Sequence, residues 1–227
     1  MAYFPMFVDL TDKPCLVVGG GNVAYRKVLV LRDFGARVIV VAEDICGKLQ
    51  AFADGSIHDT SSNERNMNKS AVFKDDLNSG VAKITDSHTV ITIKKKKYEP
   101  SDCDGMTLVV AATDDKALNH DIAQYCKLNN IMINAVDQKE DCSFIFSSYV
   151  KEQNLVAAFS SGGNSPVLTQ YLKEKERGIL TPFLGELNEY MGQIREAVFA
   201  KYETEEERKR TFKEIVCAAI DSGELPD

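Results

Sequence analysis

Apolar and polar positions fall in blocks along the chain, and the period changes from block to block. The first block is the apolar run Cys15-Leu16-Val17-Val18, which flows into Gly19-Gly20-Gly21-Asn22-Val23-Ala24. A short apolar run closed by glycines reads as a buried strand. Residues 25–34 then carry a helical pattern, and residues 37–42 read as a second strand. Residues 13–43 therefore form a β-α-β unit, followed by a short helix at 44–53. Beyond that point regularity fails. Residues 54–104 are polar and irregular, with strand character at 89–93 and a run of four lysines at 94–97. Unstructured loops this long are uncommon in compact domains, so 54–97 reads as an elaborated surface insertion. On that reading the strands around the binding crevice lie outside it, and replacing residues 57–95 by a short linker leaves the fold intact.

Regularity returns at residues 106–112, a continuous apolar strand of the kind buried in parallel sheets. Thr113-Asp114-Asp115 is the turn at its carboxyl end. Residues 116–128 read as a helix with Leu118, Ile122, Tyr125 and Cys126 on one face, and residues 131–136 as the next strand, with Asp137 at its end. After residue 143 the character changes. Phe144-Ile145-Phe146 and residues 155–160 read as two strands joined by a polar turn near 151–154. Ser165-Pro166 and Thr181-Pro182 each place a capping residue before a good first helical residue. Thr204-Glu205-Glu206-Glu207 is a capping box for a last helix, with Phe212, Ile215, Val216, Ala219 and Ile220 on one face. The predicted class is α/β: a Rossmann-type parallel-sheet domain at 1–143, a small strand-rich segment at 144–180 and a helical domain at 181–227.

The chemistry suggested first is dinucleotide binding. Glycine lets the chain turn tightly at the end of a strand and approach a pyrophosphate, while the following helix offers free N–H groups and the positive end of its dipole. Gly19, Gly21, Asn22, Val23 and Ala24 are the residues so placed. Glu43 lies 22 residues past Gly21, about where a carboxylate meets a ribose hydroxyl. Glu43 and Asp44 would repel a 2′-phosphate, which predicts NAD⁺ over NADP⁺. The same glycines also suit a plain strand-to-helix turn. Ligands of open α/β sheets bind outside the carboxyl ends of the strands, so this fold places Thr113, Asp114 and Asp137 at the same crevice. Asp137 could serve there as a general base or merely close a turn.

Composition narrows the rest. The chain has 227 residues, 44% hydrophobic and 27% charged, as in an ordinary globular protein. Its net charge of −7 argues against nucleic acid as a partner. No apolar run approaches the ~20 residues of a membrane span, and the N-terminus lacks a signal-peptide pattern. The six cysteines form no C-x-x-C and read as reduced thiols of a cytoplasmic protein. No His/Cys/carboxylate cluster has metal-site spacing, so no bound metal is expected. His58, His88 and His120 read as solvated or packed, and the 94–97 lysines as a solvated run or a device that steers substrate.

Several motifs occur in one order. They are Phe4-Pro5-Met6-Phe7-Val8, the glycine turn continued through Tyr25-Arg26-Lys27, Ala111-Ala112-Thr113-Asp114-Asp115 with Asn119, Asn134-Ala135-Val136-Asp137, Cys142-Ser143-Phe144-Ile145-Phe146 and Phe159-Ser160-Ser161-Gly162-Gly163-Asn164-Ser165-Pro166. This combination closely resembles the precorrin-2 dehydrogenase / sirohydrochlorin ferrochelatase family, including the N-terminal module of siroheme synthases. The resemblance covers nearly the whole chain apart from about residues 54–97.

That resemblance implies an enzyme of sirohaem formation, with NAD⁺ taking a hydride from precorrin-2 to give sirohydrochlorin. Many members then insert Fe²⁺. It implies a homodimer, a strand-rich dimerisation segment and an active site between domains. It makes Asp137 the catalytic aspartate. With an octacarboxylate tetrapyrrole as substrate, Asn134, Ser160, Ser161, Gly162, Gly163 and Asn164 become substrate-binding candidates, the last five as N–H and hydroxyl donors. Arg26 and Lys27 face either substrate or solvent. A non-catalytic NAD-sensing module is the alternative reading; it shares the glycine turn and acid but has no need of the later motifs.

Overall fold

The computed structural model describes residues 3–53, 72–76, 81–86 and 89–226. The chain divides into two compact units, one of residues 4–145 and one built on residues 146–227.

The first unit is a seven-stranded sheet with helices. In chain order it runs β1 (Pro14–Val18), α1 (Asn22–Asp33), β2 (Arg37–Ala42), α2 (Gly47–Ala53), β3 (Val72–Asp76), β4 (Val81–Asp86), β5 (Thr89–Lys95), β6 (Leu108–Ala111), α3 (Lys116–Leu128) and β7 (Met132–Ala135). The strand order is β3-β4-β5-β2-β1-β6-β7. The five strands from β5 to β7 are mutually parallel, and β3 and β4 continue the sheet as antiparallel additions. The expected Rossmann-type sheet is thus present. Its apolar runs are buried as parallel strands require: Cys15 to Val18 and Leu108 to Ala111 are covered throughout. Helix α1 lies on β1 and β2 through Ala24, Val28 and Leu31, and α3 lies on β6 and β7 through Ile122, Ala123 and Cys126.

Residues 89–95 are not part of a detachable insertion. Strand β5 pairs in parallel with β2, Val38 opposite Ile91 and Val40 opposite Ile93. Both isoleucines are buried in the sheet. Replacing residues 57–95 would strip a central strand and expose that side of β2. The two-residue alternation of Ile91 and Ile93 was the available signal, and the lysines that follow concealed it.

Three thiols of the first unit are packed into it. Cys15, Cys103 and Cys126 are buried, and burial pushes the Cys15 thiol up to about 11. Cys15 is therefore inert at neutral pH.

The second unit contains the antiparallel pair β8 (Ser148–Glu152) and β9 (Leu155–Phe159), then α4 (Pro166–Arg177), α5 (Pro182–Lys201) and α6 (Glu205–Ser222). Here the first strand was misplaced. Phe144-Ile145-Phe146 is irregular, and the strand runs from Ser148, so Lys151 and Glu152 lie in the ladder opposite Val156 and Leu155. The turn is Gln153-Asn154, with Gln153 at φ 53°. A short apolar run is ambiguous without alternation, and the Phe144 carbonyl is instead engaged by the Asn134 side chain (3.1 Å). The capping box at Thr204 forms as expected: Glu207 N donates to Thr204 Oγ1 (3.3 Å), and Thr204 N to Glu207 Oε2 (3.4 Å). No helix among the described residues is long and apolar enough to cross a membrane.

Candidate functional site

Four chain segments leave the carboxyl ends of β1, β2, β6 and β7 at one edge of the parallel sheet. Into that edge the structure gathers Gly19, Gly21, Asn22, Val23, Ala24, Glu43, Asp44, Thr113, Asp114, Asn134 and Asp137. The loop of Ser160, Ser161, Gly162, Gly163 and Asn164 belongs to the other unit.

The three glycines of the turn do different work. Gly19 has φ 119°, and a Cβ there would overlap the Ala112 carbonyl at the end of β6. Gly20 backs onto the Asp44 carbonyl so closely that it too admits no side chain, and Cys46 N donates to Gly20 O (2.7 Å). These two therefore weld the turn to its neighbours. Gly20 was not among the sequence candidates, although a third glycine beyond the two the motif needs was the signal for it. Gly21 is the opposite case: a Cβ there would meet nothing within 4 Å. Its open side is the one a ligand can approach.

Gly21 is also the N-cap of α1, with no side-chain cap and no acidic residue in the first turn. The N–H groups of Asn22, Val23 and Ala24 precede the first intrahelical donor, Tyr25 N to Gly21 O (3.0 Å). The positive helix end is therefore neither capped nor neutralised, which suits a pyrophosphate.

Glu43 and Asp44 follow β2 and are exposed. Glu43 Oε1 lies 4.0 Å from Lys97 Nζ. Thr113 is locked by the buried Asn119: Thr113 N and Oγ1 donate to Asn119 Oδ1 (3.1 and 2.7 Å), and Asn119 Nδ2 donates back to Thr113 O (2.9 Å). Asp115 caps α3 by accepting from Ala117 N (2.9 Å) and Leu118 N (3.2 Å). Asp114 is left at the exposed tip of this rigid turn.

Asp137 is exposed just past β7, with φ 59°. The turn is closed by Gln138 N donating to Ala135 O (3.3 Å), and Val136 N donates to Ala111 O (2.9 Å). An aspartate tolerates this left-handed conformation better than most residues. What holds the loop is a buried carboxylate the sequence reading missed. Asp141 accepts from His120 Nδ1 (2.9 Å), Gln138 Nε2 (3.1 Å) and Gln124 Nε2 (3.4 Å), with Lys127 Nζ at 3.6 Å. Burial alone would raise its pKa; His120, Lys127 and Gln138 more than offset this and hold the carboxyl below its ordinary value. His120 is thus neither merely solvated nor packed: it ties α3 to the Asp137 loop. His58 and His88 lie outside the described residues.

Asn134 is buried, and its amide donates to Phe144 O (3.1 Å) and towards Cys142 Sγ (3.5 Å). Cys142 donates to Ala135 O (3.2 Å), and burial raises its thiol pKa. On α1, Arg26 is exposed and Lys27 half-buried; burial, with the Arg26 charge adding, lowers the Lys27 pKa. Of the lysine run, Lys94 and Lys95 belong to β5, and Lys96 Nζ is held by Glu99 and Asp102, both at 2.9 Å.

In the second unit, Ser160 Oγ accepts from Gly162 N (3.1 Å), and Ser161 Oγ accepts from Ser165 N (2.9 Å). Gly162 and Gly163 have φ 64° and 85°. Ser165 Oγ accepts from Leu168 N (3.2 Å) and caps α4.

A glycine turn, an uncapped helix start and an acid after the second strand define a dinucleotide-binding α/β domain. The family described as putative NAD(P)-binding matches residues 6–148, and the chain belongs to it. The chain is 31% identical to the siroheme synthase of Ruthia magnifica over 231 residues, covering all of this chain and 42% of that protein. It is 33% identical to siroheme synthase 2 of Klebsiella pneumoniae over 215 residues, 95% of this chain and 40% of the relative. The chain therefore spans about two fifths of the curated relatives' length. The solved structure of SirC, a precorrin-2 dehydrogenase, superposes with a TM-score of 0.66 at 20% identity, over 94% of this chain and 89% of that one. That likeness establishes the shared fold.

Proposed function

We propose that this chain oxidises precorrin-2 to sirohydrochlorin with NAD⁺, as a cytoplasmic enzyme of sirohaem formation. The observation that carries the reading is the meeting, at one sheet edge, of an open dinucleotide turn and the exposed Asp137 carboxylate. Gly21 and the α1 N-terminus would hold the pyrophosphate, Glu43 the adenosine ribose, and Thr113 and Asp114 the far side of the crevice. Bound there, NAD⁺ supplies the hydride acceptor. Removing a hydride from the tetrapyrrole also requires loss of a proton, and Asp137 takes it as general base. Its loop is anchored through Asp141 to α3, so the carboxylate is positioned before substrate arrives.

The Ser160–Asn164 stretch fits the role of a carboxylate cradle. Both serine oxygens are used as local acceptors, and each hydroxyl keeps a proton to donate. Asn134, with its amide engaged inside the fold, supports the Asp137 loop in this scheme and meets substrate only through its remaining oxygen.

The relatives' name and the same carboxylate also motivate ferrochelation, with Fe²⁺ as substrate and Asp137 receiving pyrrole protons. A homodimer completes the proposal. The two-stranded β8-β9 sheet is too small to be stable by itself, and α4 exposes Val167, Leu168, Tyr171 and Leu172, with Ile179 just beyond. A second copy covering this face would bury them; a monomer by light scattering at micromolar concentration would refute the dimer.

The deciding assay gives the purified chain precorrin-2 and NAD⁺, then Fe²⁺, and follows the tetrapyrrole spectrum and NADH. Wild type is expected to give sirohydrochlorin. Asp137→Ala should fold, bind NAD⁺ and lose oxidation a hundredfold or more, with any chelation falling alongside. Intact NAD⁺ binding without turnover in wild type would return the chain to the non-catalytic sensing reading.

A further inference from the structure

Parallel pairing carries the end of β5 along the end of β2. Ala42 sits opposite Lys95, and Lys96 N donates to Ala42 O (3.1 Å). The chain leaving β5 is thereby led past Glu43, with Lys97 Nζ at 4.0 Å from Glu43 Oε1. The two lysines just before it face other partners: Lys95 Nζ donates to Gln50 Oε1 (3.0 Å), and Lys96 Nζ is held by Glu99 and Asp102. The Lys97 ammonium is thus the one that pairs with Glu43. The Lys97 and Glu43 side chains are 83% and 62% exposed, so a ligand can reach both.

We propose that Lys97 is a specificity-determining residue for the adenosine ribose, acting against Glu43. This rests on reading Glu43 as the ribose carboxylate. A carboxylate accepts from a 2′-hydroxyl and repels a 2′-phosphate, whereas a nearby cation attracts the phosphate. With both at one ribose position, the choice between NAD⁺ and NADP⁺ is a balance rather than a veto. Glu43 prevails in the wild type because Asp44 adds a second negative charge beside it. Remove the Glu43 charge, and Lys97 is left to receive the phosphate.

The test measures NAD⁺ and NADP⁺ affinities of the full chain by titration calorimetry, at low and at physiological salt. Wild type should favour NAD⁺. Lys97→Gln should raise the NAD⁺/NADP⁺ affinity ratio about two- to fivefold, the scale of one exposed charge pair. Glu43→Gln should shift the ratio towards NADP⁺ by tenfold or more, and added salt should erode that gain. Glu43→Gln/Lys97→Gln should cancel it. Both positions are exposed, and unchanged melting temperatures will show that the variants fold. A ratio that ignores Lys97→Gln in both backgrounds overturns the proposal while leaving dinucleotide binding intact. Failure of wild type to bind either dinucleotide overturns the ribose reading and this inference together.

Discussion

Two glycine-containing turns of the described residues join a strand to a helix, and they are built in opposite ways. The turn at Gly19-Gly20-Gly21 has its first two glycines pressed against neighbouring backbone and its third facing open space. It opens a helix with no side-chain cap. The turn at 161–165 satisfies itself: Ser161 Oγ and Ser165 Oγ take up backbone N–H groups, the latter at the start of α4. Two helix starts with similar composition therefore offer different things. One presents unspent N–H groups and an unneutralised dipole to a ligand. The other has already spent part of that capacity on its own stability, and presents hydroxyl protons instead.

The largest expected effect comes from breaking the weld of the first turn. Gly19→Ala forces a non-glycine residue to φ 119° and drives a methyl group into the Ala112 carbonyl. Strain and overpacking together should cost about 3–4 kcal/mol in denaturant unfolding, with dinucleotide binding lost as well. Gly21→Val is the sharper test, because its side chain points into open space. It should stay folded, with a melting temperature within a few degrees of wild type, yet lose about a hundredfold or more in NAD⁺ affinity. That is roughly 2.7 kcal/mol of binding. Unchanged affinity by calorimetry would end the assignment of this turn.

Next in size is the clasp that steadies the Asp137 side of the crevice. Asp141→Asn weakens a buried hydrogen-bonded set and should cost about 2 kcal/mol at neutral pH. The sign follows from linkage. Asp141 has a folded pKa below its unfolded value, so its stabilisation is present above the unfolded pKa, near 4, and is lost as pH falls through the folded pKa. Wild type and variant should therefore converge in acid; a constant difference from pH 7 to pH 2 would show that the carboxylate charge is not what matters. The smallest effect belongs to the self-satisfied turn. Ser165→Ala removes one cap and should cost about 1 kcal/mol in unfolding while leaving NAD⁺ affinity as it was.

Much of this was legible because the signals were local. The apolar run into Gly19, the helix start after it, the acid at Glu43, the Asp115 cap and the Thr204 capping box all act within a few residues, so their spacing alone predicts them. The places where the reading fell short depend on partners far away in the chain. Residues 89–95 looked like the end of an insertion because nothing nearby shows that Ile91 and Ile93 lie against β2. Phe144 looked like a strand residue because its carbonyl's partner, Asn134, is ten residues away.

Local pattern was enough for the type of each major helix, the central strands β1, β2, β6 and β7, the dinucleotide turn and the aspartate at the end of β7. Those follow from periodicity, steric freedom at glycine and capping chemistry, which are properties of short segments. It took the folded chain to show that β5 completes the parallel sheet, that Asp141 gathers His120, Gln124, Gln138 and Lys127 behind Asp137, and that Lys97 meets Glu43. Each is a pairing between segments whose separation in sequence carries no information about distance. Register between parallel strands is set by what the whole sheet buries, and that register is what brings Lys97 to Glu43.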